Sequence, residues 1–270
     1  MVVTPGKVLV VLPTLGDRLD TLEETLGTVD AQRSDVDLTL ALVLPATATD
    51  AAQLGREHGA LIVDDPAGGI SRAINVGVAA ATDEQFYAWM GDDDLFRPGA
   101  LRALRDLLQA FPGAVLAYGA CDYIDPEGRL IGTSRAGRAA RWLLPWGPNL
   151  IPHPGTMIRL EALNAVGAFD EELRYSMDLD VFLRLRPYGG FASTTRTVSA
   201  FRWHPDSLTV SNRAASSAES EIVKRRYLPG YLRPVEPLWR FPVRWASAWA
   251  ARGVSRRALR LASTESVEVR

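Results

Sequence analysis

The first hundred residues of this chain switch repeatedly between two hydrophobic periods, and few folds can accept that pattern. KVLVVLP, Lys7 to Pro13, is a continuous apolar, β-branched run, as expected of a strand buried on both faces. From Arg18 to Gln32 the apolar residues Leu19, Leu22, Leu26 and Val29 recur at helical spacing. LTLALVLP (Leu38 to Pro45) reads as a second buried strand, and Asp50 to His58 as a helix closed by Gly59. LIVDD (Leu61 to Asp65) gives a third strand, Ser71 to Ala81 a third helix and FYAWM a fourth strand. Strand and helix in this rhythm build a parallel sheet with right-handed crossovers. Such sheets hold ligands beyond the carboxyl ends of their strands.

Three consecutive carboxylates, Asp92, Asp93 and Asp94, stand at that position after the fourth strand. Crowded acids repel one another unless a cation neutralises them. Oxygen-only ligands suit Mg²⁺ or Mn²⁺, and Mg²⁺ usually takes one or two carboxylates plus substrate phosphates. The plainer reading is that Asp92 or Asp94 caps the next segment or faces water. A second candidate is GGISRAINVG, Gly68 to Gly77. Two glycines before a helix let backbone approach a ligand, and free N–H groups at the helix start suit a phosphate or a ribose. Arg72 adds a positive charge; the plainer reading is a turn with Ser71 as N-cap.

Beyond residue 112 the pattern changes. Ala114 to Gly132 alternates around a D-P-E-G turn and reads as a hairpin. Residues 133–155 are rich in Arg, Gly, Pro and Trp without a period, which predicts a long loop over a site. Met177 to Gly190 reads as a helix closed by glycines, and Phe191 to His204 as a returning strand. In the last fifty residues basic side chains outnumber acids, with Trp239, Trp245 and Trp249 among them. Tryptophan with arginine suits a membrane interface, and equally a helix packed on the rest of the protein with its arginines solvated.

Composition narrows the function classes. The 270 residues carry a formal net charge of -2, so no basic face for a nucleic acid is expected. Cys121 is the sole cysteine, which excludes an internal disulfide and a cysteine zinc site; its expected role is a small buried hydrophobe. No apolar stretch approaches the ~20 residues that span a bilayer. The expected address is the cytoplasm, or the inner face of the membrane if the C-terminal segment attaches there.

Four stretches taken in order, LVVLPTLGDRLDTLEETL, GGISRAINVG, FYAWMGDDDLFRPGAL and HPGTMIRLEALNAVGAFDEELRYSMDLDVFLRL, resemble the family-2 glycosyltransferases. The resemblance runs from about Val8 to His204 and implies the GT-A nucleotide-diphospho-sugar transferase fold, α/β with a mostly parallel central sheet. On this reading residues 1–210 are the catalytic domain, with a nucleotide-sugar half to about 112 and an acceptor half from 113. Residues 211–270 are then a basic, Trp-rich helical extension. The resemblance implies that Asp92 and Asp94 frame a D-x-D-type motif holding Mn²⁺ or Mg²⁺ against the diphosphate, with Asp93 an equally direct ligand. It implies Asp178 as the base of inverting transfer, with Asp180 left as a complement to the helix dipole. His204 matches an extra metal ligand, and His153 lies in a family-typical stretch near the acceptor side. Pro13, Thr14 and Asp17 fit the nucleotide pocket's rim, Asp64 or Asp65 could face base or ribose, and Ser71, Arg72 and Asn75 belong to the donor side.

Two departures bear on the donor. Many members end the second strand with an acidic sequence whose Asp reads uracil, whereas this chain has LPATATD; the aromatic often found soon after the first strand's proline is Leu15. Thymidine and guanosine donors therefore stand open beside uridine. The resemblance implies a hexosyl- or deoxyhexosyltransferase acting on a glycan or lipid-linked acceptor in envelope polysaccharide or glycolipid assembly. The rivals are a sugar nucleotidyltransferase and a non-catalytic nucleotide-sugar-binding module. The first would want a glycine-rich, basic loop after the first strand, where PTLGDR is short and carries one Arg.

Overall fold

The computed structural model describes residues 6–203 and 212–235, with 237, 238 and 242. His204 and the tryptophans 239, 245 and 249 lie outside the described residues. The donor-side half alternates as its periods predict: β1 (Val8–Pro13), α1 (Leu19–Asp30), β2 (Leu38–Leu44), α2 (Thr49–Glu57), β3 (Leu61–Asp64), α3 (Ile70–Ala79) and β4 (Phe86–Trp89). There follow β5 (Leu95–Phe96), α4 (Ala100–Ala110), β6 (Ala114–Ile124), β7 (Leu130–Ser134) and a short helix α5 (Ala140–Leu143). The remainder is β8 (Thr156–Arg159), α6 (Leu160–Ala165), α7 (Met177–Leu185), β9 (Gly190–Arg202) and α8 (Arg213–Tyr227).

One sheet runs in the order β3-β2-β1-β4-β8-β6-β9-β5, with β7 hairpinned onto β6. The pairs β3–β2, β2–β1, β1–β4 and β6–β9 are parallel, so those six strands share one direction, and β8, β5 and β7 oppose them. Apolar side chains of β1 alternate between two cores. Val8, Val10 and Leu12 meet α1, α2 and α4 through Leu22, Leu26, Ala51 and Leu104. Leu9 and Val11 meet α3 and α7 through Ile74 and Phe182. That double burial explains the unbroken apolar run, which a strand with one wet face would not need.

The order 3-2-1-4 places the switch in winding direction between β1 and β4, the point where sheets of this kind hold ligands beyond their strand ends. The loop expected over residues 133–155 carries α5, and it exposes Trp142 and Trp146. Cys121 is buried and unbridged, and burial pushes its thiol up to about 12. Among the described residues no helix is long and apolar enough to cross a membrane.

Candidate active site

Two chain turns meet at the switch point. After β1 the Thr14 hydroxyl donates to Asp92 Oδ2 at 2.6 Å, and the Gly16 N–H donates to Thr14 Oγ1 at 3.0 Å. Gly16 has φ +77°, in the left-handed region that favours glycine, and the tight turn it allows leads into Arg18. The Arg18 guanidinium bridges two acids, bonding Asp92 Oδ1 through Nη2 and Asp93 Oδ2 through Nη1 at 2.7 Å. Asp94 turns the other way. Its Oδ1 accepts the Arg202 N–H at 3.0 Å, and its carbonyl accepts the Thr25 hydroxyl at 2.9 Å. Arg202 in turn donates from Nε to the Asp93 carbonyl at 3.0 Å and from Nη2 to Glu24 at 2.5 Å. The acidic turn is thus tied both to the β1 loop and to the end of β9. Burial raises the Asp92 carboxyl above its ordinary range, against the Thr14 hydrogen bond and the charge of Arg18. Burial and the neighbouring Asp93 push Asp94 well up.

The acidic turn fits a hard divalent cation that is held partly by substrate phosphates. Its donors are carboxylate oxygens, and Arg18 already shows Asp92 and Asp93 sharing one positive group. A Cβ on Gly91 would lie 3.1 Å from Asp93 Oδ1 and 3.1 Å from Asp94 Oδ2, so glycine keeps that space clear. Among the described residues no three His, Cys, Asp or Glu side chains converge as metal ligands.

The other donor-side candidates divide by position. Pro13 is buried at the end of β1, while Asp17 and Asp64 are exposed. Asp65 Oδ1 accepts the Ala67 N–H at 2.9 Å. Ser71 and Asn75 act as fasteners: Ser71 donates to the Leu173 carbonyl at 2.8 Å, and Asn75 exchanges two bonds of 2.9 Å with the Phe169 backbone. Arg72 lies half-exposed, 3.9 Å from Glu171. Through Ser71 and Asn75, α3 is anchored to the segment that precedes α7.

Asp178 occupies the first turn of α7. Its Oδ2 accepts Asn149 Nδ2 at 2.8 Å and its Oδ1 accepts the Leu179 N–H at 2.7 Å. Burial raises its carboxyl to about 6; these donors oppose the shift and the charge of Glu219 adds to it. Asp180, two residues on, is different. It pairs with Arg184 at 2.7 Å and accepts the Tyr227 hydroxyl at 2.7 Å. His153 links the two regions, stacking on Trp89 of β4 with ring centroids 4.3 Å apart and meeting Phe182 of α7 edge-on. Its burial lowers the imidazole to about 3, so the ring is neutral.

A family model described as glycosyl transferase family 2 matches residues 10–166, from β1 through α6. The chain belongs to glycosyl transferase family 2. Solved structures share this GT-A fold. A mannosyltransferase from Pyrobaculum calidifontis, in complex with GDP-Man and Mn²⁺, superposes with a TM-score of 0.64 at 17% identity, over 99% of this chain and 81% of that one. S. aureus TarS 1–349, in complex with UDP-GlcNAc, superposes with a TM-score of 0.62 at 13% identity, over 80% of this chain and 65% of that one. This family-2 chain therefore spans about two thirds of the TarS structure. No curated protein sequence matches it.

Sequence reasoning passed over several residues that shape this family-2 site. Arg18 and Arg202 are ordinary arginines until the fold brings them to the acids. Asn149 lies in the loop expected to cover a site, but nothing in its neighbours marks it out.

Proposed function

We propose that this transferase moves a hexosyl or deoxyhexosyl group from a nucleoside-diphosphate sugar to a hydroxyl acceptor by a single inverting displacement. The observation that carries the reading is Asp178. It is a partly buried carboxylate with two N–H donors and no ion pair among the described residues, raised to about 6. Such a group is ionised near neutral pH yet basic enough to take an acceptor's proton as the new bond forms. Asn149 and the Leu179 N–H hold its oxygens in place and leave lone pairs for the acceptor hydroxyl. The acceptor oxygen attacks the anomeric carbon, the glycosidic C–O bond to the diphosphate breaks, and the configuration inverts.

On the donor side, Thr14 and Arg18 hold Asp92 and Asp93 in place. A divalent cation bound by Asp92 and Asp93 would neutralise charge on the departing nucleoside diphosphate; Asp94, turned to the Arg202 N–H, and His204, outside the described residues, are the further candidate ligands. Arg18 offers a second positive charge beside the diphosphate. The donor-bound relatives, one with UDP-GlcNAc and one with GDP-Man and Mn²⁺, support a nucleotide-sugar at this switch point and leave both bases open. We assign the donor to residues 1–112, the acceptor to 113–210 and an extension to 211–270. A glycan or lipid-linked acceptor in envelope assembly is the family-level expectation, and the Trp- and Arg-bearing C-terminal segment suits either attachment at the inner membrane face or packing on the catalytic domain.

A thermal-unfolding panel of UDP, dTDP, GDP and CDP, each with and without Mn²⁺, tests the donor site. One nucleotide is expected to raise the midpoint only when the metal is present, because a ligand that binds the folded state alone stabilises it. Well-folded protein with no metal-dependent rise for any nucleotide would overturn the carboxylate assignment.

A further inference from the structure

The start of α7 is held from far along the chain. Three successive backbone N–H groups precede it, and all three converge on one carboxylate of α8. Arg174 donates to Glu219 Oε1 at 2.9 Å, and Tyr175 and Ser176 donate to Oε2 at 2.6 and 2.7 Å. Consecutive N–H groups of this kind form a concave anion nest, and Glu219 fills it. Ser176 is the N-cap of α7 but makes no cap bond with its side chain; its hydroxyl instead shares a 2.7 Å bond with Ser220. The cap of this helix is therefore a long-range contact. Helix α8 is pinned around it by Val223, fully buried in the core of α3 and α7, and by Leu228. Farther along, Arg226 pairs with Asp170 at 2.8 Å and Tyr227 reaches Asp180.

We infer that Glu219 is a positioning residue, delivered by α8, that fixes the backbone from which Asp178 projects. The inference rests on the reading of Asp178 as the base. Asp178 follows Ser176 by two residues, so freeing the nest loosens the peptide that aims its carboxylate. Glu219 also faces Asp178 with a like charge. The neutral Asn149 from the covering loop is the side-chain donor to Asp178, whereas Arg184 on α7 and Arg226 and Tyr227 on α8 meet Asp180 instead. Glu219 is the group on a second element that both sets the geometry and adds negative charge. The basic C-terminal region would then act on the chemistry through its first helix, apart from any role its end has at a membrane.

The test compares Glu219→Gln with Arg226→Ala, which loosens α8 away from the nest. The Asp178 carboxyl is titrated by ¹³C NMR, assigned against Asp178→Asn, and hydrolysis of UDP-GlcNAc and GDP-Man is followed for each protein. Removing the Glu219 charge is expected to move the Asp178 midpoint down. It is also expected to lower kcat about 10- to 100-fold with little change in KM, the size of effect that a misaimed group produces. Arg226→Ala is expected to leave the midpoint where it is. A folded Glu219→Gln with the wild-type midpoint and kcat overturns the inference, as does an equal shift in Arg226→Ala, which would mean simple docking of α8. Should Glu219→Gln fail to fold, Glu219→Asp keeps the charge but shortens the reach: a fall in kcat supports the inference, and wild-type kcat overturns it. Asp178→Asn with full kcat would instead overturn the base reading, while the titration still reports on Glu219.

Discussion

The acidic turn after β4 and the first turn of α7 both bury carboxylates, yet they treat negative charge in opposite ways. At the acidic turn, Arg18 bridges Asp92 and Asp93, and Asp94 faces the backbone of Arg202. At α7, among the described residues, Asp178 meets neutral N–H donors and, beyond them, the like charge of Glu219. A carboxylate beside Arg18 is raised by burial yet drawn back toward its charged form by that cation. One held by amides in a buried place is suited to exchanging a proton near neutral pH. Asp180 sharpens the contrast, because two positions along the same helix its ion pair with Arg184 and its bond from Tyr227 commit it to structure.

The largest expected effect comes from Asp178→Asn. Transfer should fall by about 10²- to 10⁴-fold, the contribution of a positioned base, while the nucleotide-dependent rise in unfolding midpoint is retained. Loss of nucleotide binding in that variant would break the division between the two regions. The same variant carries a stability prediction. The folded carboxyl titrates at about 6, above an unfolded Asp near 4, so wild-type stability falls as pH rises through that window. Asp178→Asn should lack that fall and be more stable than wild type at pH 7.5, by about 1–2 kcal/mol.

Asp93→Asn should act on the other region, weakening metal-dependent nucleotide binding by roughly 10-fold, as loss of one charged ligand would. Its carboxyl titration at Asp178 should be unchanged, and a shift there would show that the two regions are coupled. Arg18→Ala leaves the buried Asp92 without its cation and should cost about 1–3 kcal/mol in denaturant unfolding. Added Mn²⁺ should restore part of that loss if the acids accept a metal in place of the guanidinium. The smallest change is expected from Asn149→Ala. Losing its N–H raises the Asp178 carboxyl, so the acid limb of the rate profile, expected near pH 6 in wild type, should move to higher pH. Movement to lower pH would mean that Asn149 does not stabilise the charged form.

Legibility in the sequence differed sharply between the two halves. From β1 to β4 each element carries a period of its own, while the pairings, such as Val8↔Leu38 and Val11↔Trp89, belong to the assembled sheet. The place of Asp92 to Asp94 followed from that pattern together with the rule for strand ends. In the acceptor half, β8 has four residues and β5 has two, too short to show alternation, and both exist because β4, β6 and β9 offer them edges. The helix start at Asp178 was visible from its acids and apolar spacing. Ser71 and Asn75 illustrate the opposite case: their glycine-rich surroundings pointed to a ligand, and the fold turns their side chains to the backbone at Leu173 and Phe169.

What the sequence by itself determined is the wound parallel half, the acidic turn at its mouth and the family. Those features are written locally, in hydrophobic period and in runs of adjacent residues. Only the tertiary structure decided which cation meets which acid, that Asp94 faces inward, and that Asn149 and Glu219 frame Asp178. Arg18 and Asp92 are 74 residues apart, Glu24 and Arg202 178 apart, and Ser176 and Glu219 43 apart. Partnerships at that range leave no periodic trace, because each depends on two elements docking in one register and not on the composition around either residue.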